Sequence, residues 1–470
     1  MSTISREALA GSEGPKYRAV AGTIRKAIAD GQLEAGARLP PVRDLAYQLG
    51  ITPGTVARAY TILTDEGVLE ASVGRGTFVA GQQVTAPAPL SPIEIDAVPH
   101  GSEGMQSPVS LFSPALPNVG QAALIRSLLA QIAEEPPSGV MHYPNRSAYL
   151  PAREAVLRWL EGAPLGAADP SDIVLCHGGQ NGILLILQAI LRGRRPVVLV
   201  EELSYPGFRR AAELLRAEVV PVAMDEHGVI PEALDEAARA HDAQVFCTSP
   251  EVHNPTGLFT PVERREALVG IARRFDLQFL EDDCYRIGRA QAPSYRMLAP
   301  ERGWFVSSIS KTLTPALRIG FAIAPHGRVA PLRRAAEHGY FGVATPIADM
   351  TTKLLAHPDV TVLADRVREV FNSYIRVAVN HLGMYDLTWR SDVPFLWLRL
   401  PSGWRTSSFC QAAEAAGVRI RPAEEFAGRD SHAPHAVRIA INAQVSPATF
   451  EGAMIRLRDL LANPPERIGV

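Results

Sequence analysis

The chain has 470 residues, 47% of them hydrophobic, which suits two or three packed domains and excludes a disordered protein. Its 47 Lys and Arg nearly balance 49 Asp and Glu, so no overall field holds it to nucleic acid or a membrane surface, and any DNA contact must be local. No signal-peptide-like stretch and no run of roughly 18 apolar residues is present. The four cysteines (Cys176, Cys247, Cys284, Cys410) lack CxxC spacing. These features predict a soluble cytoplasmic protein with reduced core thiols, no metal site and no membrane partner.

Residues 15–80 read as one small unit. YRAVAGTIRKAIADG sets Val20, Ile24 and Ile28 on one helical face, with Gly31 as the stop. PVRDLAYQLG forms a second helix ended by Gly50. In ITPGTVARAYTILTDEG, Thr52 caps a third helix with Pro53 at its first position, and Val56, Ala59, Tyr60 and Leu63 face inward. VLEASVGRGTFVAG closes the unit as two short strands around a glycine-rich tip. Residues 81–108, rich in Pro, Gly and Ser, read as a linker.

From 109 to 470, strand-like runs (IVLC, PVVLVE, EVVPVAM, AQVFCTS, LQFLED, WFVSSIS) alternate with helical stretches such as GILLILQAILRG. This predicts an α/β fold with a mainly parallel sheet covered by helices. Roughly 336–470, with FLWLRL and AVRIAIN, reads as a smaller α+β lobe.

Three helices and a two-stranded wing form a winged helix-turn-helix, whose third helix fits the major groove of a double-stranded DNA operator. Thr52, Gly54 and Thr55 open that helix toward DNA, with Arg58 one turn on. Arg43 is placed for a phosphate, and Arg75 at the wing tip for the minor groove. A small helical domain used only for protein contacts has the same pattern. Over LEAGARLPPVRDLAYQLGITPGTVARAYTILTDEGVLEASVGRGTFV the sequence resembles the GntR family of bacterial regulators, which implies DNA binding.

In SSISKTLTPALRIGF, Lys311 follows a strand of the α/β region, where such folds bind ligands. A lysine there can form a Schiff base with a carbonyl. Pyridoxal phosphate would need the groups that surround it in the sequence. Ser308 and Arg318 offer a hydroxyl and a guanidinium to a phosphate, and the Gly178-Gly179-Gln180 turn opens a helix whose free N–H groups favour an anion. Asp282, at the end of a strand, suits the pyridine nitrogen. Tyr285 and Asn254 suit the ring hydroxyl, and Tyr205 suits the ring face. Singly, each has a plain alternative: a surface lysine, a helix cap, turn glycines, core tyrosines.

In order, GGQ, SYPG, HNPTG, EDDCY and SISKTLTPALRIG resemble fold-type I aminotransferases, the pyridoxal-phosphate-dependent transferase fold, across nearly all of 109–470. The resemblance implies Lys311 as the catalytic Schiff-base lysine and Asp282 as the pyridinium partner. It places Asn254 and Tyr285 at the ring hydroxyl, and Ser308, Arg318, Gly179 and Gln180 at the phosphate. It also implies Arg438 as the receiver of an effector carboxylate and Tyr143 as a phosphate contact across a dimer. A GntR-like reader joined to such a domain is similar to the MocR regulators, which implies a head-to-tail homodimer responding to pyridoxal phosphate or to a small amino acid or amine effector.

Two functions are therefore expected. In the first, aldimine exchange at Lys311 reports effector binding to DNA. In the second, the chain is a working aminotransferase with an accessory DNA-binding unit. The first is preferred, because a DNA reader on an enzyme fold makes sense if ligand state must reach DNA. FSPALPN carries Ala115 and Asn118 where the family usually has FSPGLPD, and a side chain there is expected to reshape the pocket and to leave turnover weak or absent.

Overall fold

The computed structural model describes residues 16–464 apart from 35, 66–67, 73–75, 80–107, 136, 138–140, 142, 144–146, 429–430 and 432. They fall in two compact units, Met1–Ala97 and Val98–Val470. Among the described residues no helix is long and apolar enough to cross a membrane.

The N-terminal unit contains α1 (Lys16–Ala29), α2 (Val42–Leu49), α3 (Pro53–Asp65), β1 (Leu69–Ser72) and β2 (Gly76–Val79). Gly50 ends α2 with φ 65, a left-handed conformation that glycine adopts freely. Pro53 opens α3, where its missing N–H costs nothing. Val20, Ile24, Leu45, Leu49, Val56, Ala59, Tyr60 and Leu63 meet in one core, closed below by Leu69 and Val79. The strands pair antiparallel from Leu69↔Val79 to Ser72↔Gly76. Tyr60 hydroxyl donates to the Pro40 carbonyl at 2.8 Å, tying α3 to the segment before α2.

The second unit is built on a seven-stranded sheet: β3 (Ile173–His177), β4 (Val197–Glu201), β5 (Glu218–Val222), β6 (Ala243–Thr248), β7 (Gln278–Asp282), β8 (Gly303–Ser308) and β9 (Ile319–Ile323). Their order is β3-β9-β8-β7-β6-β4-β5. The block β8-β7-β6-β4-β5 is parallel. Every residue of β4, β7, β8 and β9 is buried, as expected of strands covered on both faces. β9 runs antiparallel to both β8 and β3, so β3 points the same way as the parallel block.

A smaller antiparallel sheet holds β10 (Leu387–Thr388), β11 (Phe395–Arg399), β12 (Arg421–Pro422) and β13 (Ala436–Ala440), in the order β10-β11-β13-β12. Its core takes in Val109, Leu111 and Leu116 along with Val367, Phe371 and Ile375. Val343, Met350 and Leu354, by contrast, pack under the large sheet. The lobe expected from 336 therefore begins later in the chain and includes the start of the unit, because Val109–Ser110 pairs with Val418–Arg419.

Candidate functional site

The carboxyl ends of β3, β4, β6, β7 and β8 share one sheet edge, and the start of β9 returns to it. Ligands bind at such edges in open α/β sheets. β7 delivers Asp282, and Tyr285 lies three residues beyond it. β8 delivers Ser308, followed by Lys311. The turn into β9 carries Arg318, and the turn after β3 carries Gly178 and Gly179.

Lys311 is half-buried, with its Nζ 5.4 Å from the centre of the Tyr285 ring. Burial pushes the Tyr285 phenol up, but the positive charges of Lys311, Arg438 and Arg421 outweigh it and hold the phenol below its usual value. Asp282 is buried and accepts the Cys284 N–H at 3.0 Å. Burial raises its carboxyl to about 6, against hydrogen bonds from Cys284 and with help from the carboxylates of Asp283 and Glu201. Such a group is held ready for a cation, since a positive neighbour would recover the cost of its charge.

Asn254 is also buried. Its Oδ1 accepts from Arg438 Nη1 at 2.6 Å, while its Nδ2 has no hydrogen-bond partner among the described residues. An unpaired buried donor costs about 1–3 kcal/mol unless a ligand satisfies it. Arg438 lies on β13 between the rings of Phe395 (5.3 Å) and Phe426 (4.9 Å), and its Nη2 donates to the Phe112 carbonyl. Burial lowers its guanidinium to about 10. Among the described residues no carboxylate lies within 4.0 Å of it.

At the other end of the site, Gly178 has φ 81, and a Cβ there would meet Arg318 Nη2 at 2.5 Å. Arg318 itself has φ 51, a costly conformation for a side-chain-bearing residue and one that strained functional sites retain. It is exposed, and its Nη2 reaches the His177 carbonyl at 3.5 Å. A Cβ on Gly179 would meet Cys284 Sγ at 2.3 Å, so the helix Gly179–Ile190 starts hard against the Asp282 turn. Ser308 is buried beside the Cys284 thiol.

The Gln180 side chain turns away from the expected anion site, for which only the peptide N–H of that residue is read. Its Nε2 donates to the Gly207 carbonyl at 3.0 Å and so braces the Tyr205 turn, leaving only its peptide N–H in the helix's first turn. Tyr205 is half-buried just before the helix Pro206–Leu214, close enough for Tyr285 and Asp282 to act on its phenol. Tyr143 stands apart from this group: it is exposed, with its ring centre 6.1 Å from that of Phe341. Ala115 donates its N–H to the Ile441 carbonyl at 3.0 Å in a bridge beside Asn442, and the Asn118 side chain accepts from Gly120 N–H.

Sequence reasoning missed Cys284, Phe112 and Arg421. Their only sequence signals were nearness to Asp282 and to the strands of the small lobe.

In the N-terminal unit, Arg43, Thr52, Gly54 and Arg58 are exposed and Thr55 is half-buried. The Thr52 and Thr55 hydroxyls are 2.9 Å apart at the mouth of α3. Gly54 faces open space, so packing gives no reason for its lack of a side chain. Arg58 stacks on Tyr17 with its guanidinium 4.3 Å from the ring centre. Arg38, not foreseen, lies against Gly76 at the wing. Arg75 is outside the described residues.

The donor set fits pyridoxal phosphate on these observations: an orphaned amide donor at Asn254, a glycine cradle with an arginine over it, and a buried carboxylate raised for want of a cation. Fold and site thus define a chain that joins a winged helix-turn-helix to an aminotransferase-like unit.

The comparisons agree. Residues 116–457 match the model for aminotransferase class I and II, and residues 16–79 that for bacterial regulatory proteins of the gntR family. The chain is 27% identical to the uncharacterized HTH-type transcriptional regulator YdeF of Bacillus subtilis, over 96% of this chain and 95% of YdeF. It is 30% identical to the HTH-type pyridoxine biosynthesis transcriptional regulator PdxR of Corynebacterium glutamicum, over 71% of this chain and 70% of PdxR. An archaeal alanine:glyoxylate aminotransferase structure has a TM-score of 0.68 at 23% identity, covering 76% of this chain and 91% of its own. The chain belongs to the aminotransferase class I and II family and, with its gntR-family unit, to the MocR-type transcriptional regulators. Its cofactor is pyridoxal phosphate and its partner is DNA.

Proposed function

We propose that the aminotransferase-like unit senses a small amino acid or amine at Lys311, and that a head-to-tail homodimer reports the ligand state to a double-stranded operator. When bound, pyridoxal phosphate supplies an electrophilic aldehyde that a primary amine can capture. Lys311 would supply the chain's own amine to that carbon, and its Nζ would hold or move a proton there. Asp282 keeps a ring cation in place. Asn254 Nδ2 and the Tyr285 hydroxyl hold a ring hydroxyl, and Tyr205 covers the ring face. Ser308, Arg318 and the N–H groups of Gly179 and Gln180 hold the phosphate, with Tyr143 supplied by the other protomer. Thr52, Gly54, Thr55, Arg43, Arg58 and Arg75 contact the DNA.

Arg438 carries this reading. A guanidinium that is 1% exposed and has no carboxylate partner among the described residues is costly to keep unless an anionic ligand completes it. The α-carboxylate of an amino acid is such a ligand. The same residues would also serve transamination, in which Lys311, Asp282 and Arg438 would keep these roles.

The test is the absorption of bound cofactor in the full-length protein, followed as single amino acids and amines are added, with Lys311→Ala as control. The proposal expects a lysine-dependent band that one ligand class shifts saturably to a stable new form. Rapid conversion to the pyridoxamine form, reversed by a keto acid, would instead make the protein an aminotransferase.

A further inference from the structure

We propose that the effector carries a second carboxylate beyond the one Arg438 receives, and that Arg421 reads it. The inference rests on the sensor reading above and narrows its ligand to an amino dicarboxylic acid.

The case begins with strand register. β12 pairs antiparallel with β13 so that Arg421 stands directly opposite Arg438. Directly opposite residues of a strand pair project from the same face of the sheet. Two guanidinium groups side by side repel one another, and each residue is already expensive to desolvate. Arg421 does act on Arg438 in this way, since its charge helps to lower the Arg438 guanidinium. Both also act on Tyr285, together with Lys311. Three cations therefore converge on one phenol.

The surroundings of Arg421 do not offset this. Its side chain is 16% exposed, and its Nε is fully buried without a hydrogen-bond partner among the described residues. Among the described residues its nearest carboxylate is Glu425, 3.6 Å from Nε, too far for a hydrogen bond and itself 39% exposed. A carboxylate with that much access to water screens a neighbour weakly. The guanidinium also lies 5.2 Å from the centre of the Phe112 ring, whose backbone carbonyl binds Arg438. Phe112 thus links the two arginines into one cluster, with Arg419 stacked on the same ring at 4.9 Å.

The charges then count as follows. Asp282 is reserved for the cofactor ring. One ligand carboxylate answers Arg438. Arg421 remains with only the partly exposed Glu425 at 3.6 Å, a near-buried fork of donors on the same face as Arg438 and matched in geometry to a second carboxylate. A neutral amide in that position would leave the charge unanswered, and a site built for a polar group discriminates strongly against an analogue lacking it.

The experiment uses the full-length protein with its cofactor bound and titrates its absorption with L-glutamate against L-glutamine, and with L-aspartate against L-asparagine. Each pair has nearly the same shape and differs in charge. At least one acid is expected to bind about tenfold or more tightly than its amide. Arg421→Gln is expected to remove most of that preference while leaving the affinity for the amide nearly unchanged, and Arg421→Lys to restore part of it. Equal affinity for acid and amide in the native protein overturns the inference without any variant, so a poorly folded Arg421→Gln does not protect it. A preference that survives Arg421→Gln also overturns it. If none of the four amino acids perturbs the bound cofactor, this inference fails, whereas the sensor reading fails only if every other amino acid and amine leaves it unperturbed as well.

Discussion

Asp282 shows how the site trades stability for function. Far below pH 3.8, its ordinary carboxyl value, the group is protonated in both folded and unfolded chains and makes no difference. As pH rises the unfolded chain ionises first, while the buried carboxyl holds its proton to about 6. The cofactor-free fold is therefore weakened progressively between these values, by up to about 3 kcal/mol above them. Asp282→Asn keeps an oxygen for the Cys284 N–H and removes the charge. In cofactor-free protein it should raise the unfolding free energy by about 2–3 kcal/mol at pH 8, with the gain fading toward pH 4. Urea unfolding at both pH values checks this, and a gain equal at the two would contradict it. The same variant should bind pyridoxal phosphate more weakly, because the ring cation loses its partner. Lys311 and Asp282 were legible as candidates in the sequence because Asp282 ends one apolar strand and Lys311 stands just past another. Arg421 was not, because its meaning comes from the β12–β13 register, which no local pattern announces.

At the scale of elements, the return of β9 to the sheet edge is what brings Arg318 to the Gly178–Gly179 turn, the proposed anion end of the site. Gly320 in β9 crosses so close to the turn after β3 that a Cβ on it would lie 2.6 Å from the backbone of Gly178. Gly320→Ala should therefore displace the Gly178–Gly179 turn. We expect a loss of about 1–3 kcal/mol in urea unfolding together with weaker cofactor binding; wild-type values for both would contradict the role given to this crossing. Sequence reading passed over β9, since the lysine motif runs straight into IGFAI and hides a strand of five residues. It also could not see that the turn reverses direction. The DNA-binding elements were more legible, because Gly50, Thr52 and Pro53 mark the ends of α2 and α3 by backbone chemistry alone. There Arg43 is exposed at the start of α2, and the proposed function gives it a phosphate. Arg43→Ala should weaken specific and non-specific duplexes by similar factors and reduce the salt slope of binding by about one. A loss confined to one sequence would make Arg43 a base reader.

For the whole molecule, near-neutral charge and two separately packed units mean that neither DNA affinity nor ligand affinity alone explains the chain. The winged unit has its own core around Val20, Ile24, Val56 and Leu63. The second unit has several cores around two sheets. On the proposed function what joins them is a coupling free energy, and coupling is reciprocal: a ligand that changes operator affinity must have its own affinity changed by operator to the same degree. The fold class of both units was readable from periodicity and turn signals. The division of the second unit into lobes was less so, because Val109–Ser110 joins a strand far along the chain.

The measurement that tests the central claim most directly is operator binding by full-length, cofactor-loaded protein, using a duplex selected from a randomised pool and read by fluorescence anisotropy. The amino acid that shifts the cofactor band is added to saturation, with Lys311→Ala in parallel. The account predicts that the operator Kd changes by about fivefold or more in the native protein and stays fixed in Lys311→Ala. An operator Kd indifferent to a ligand that demonstrably occupies the Lys311 site would contradict it.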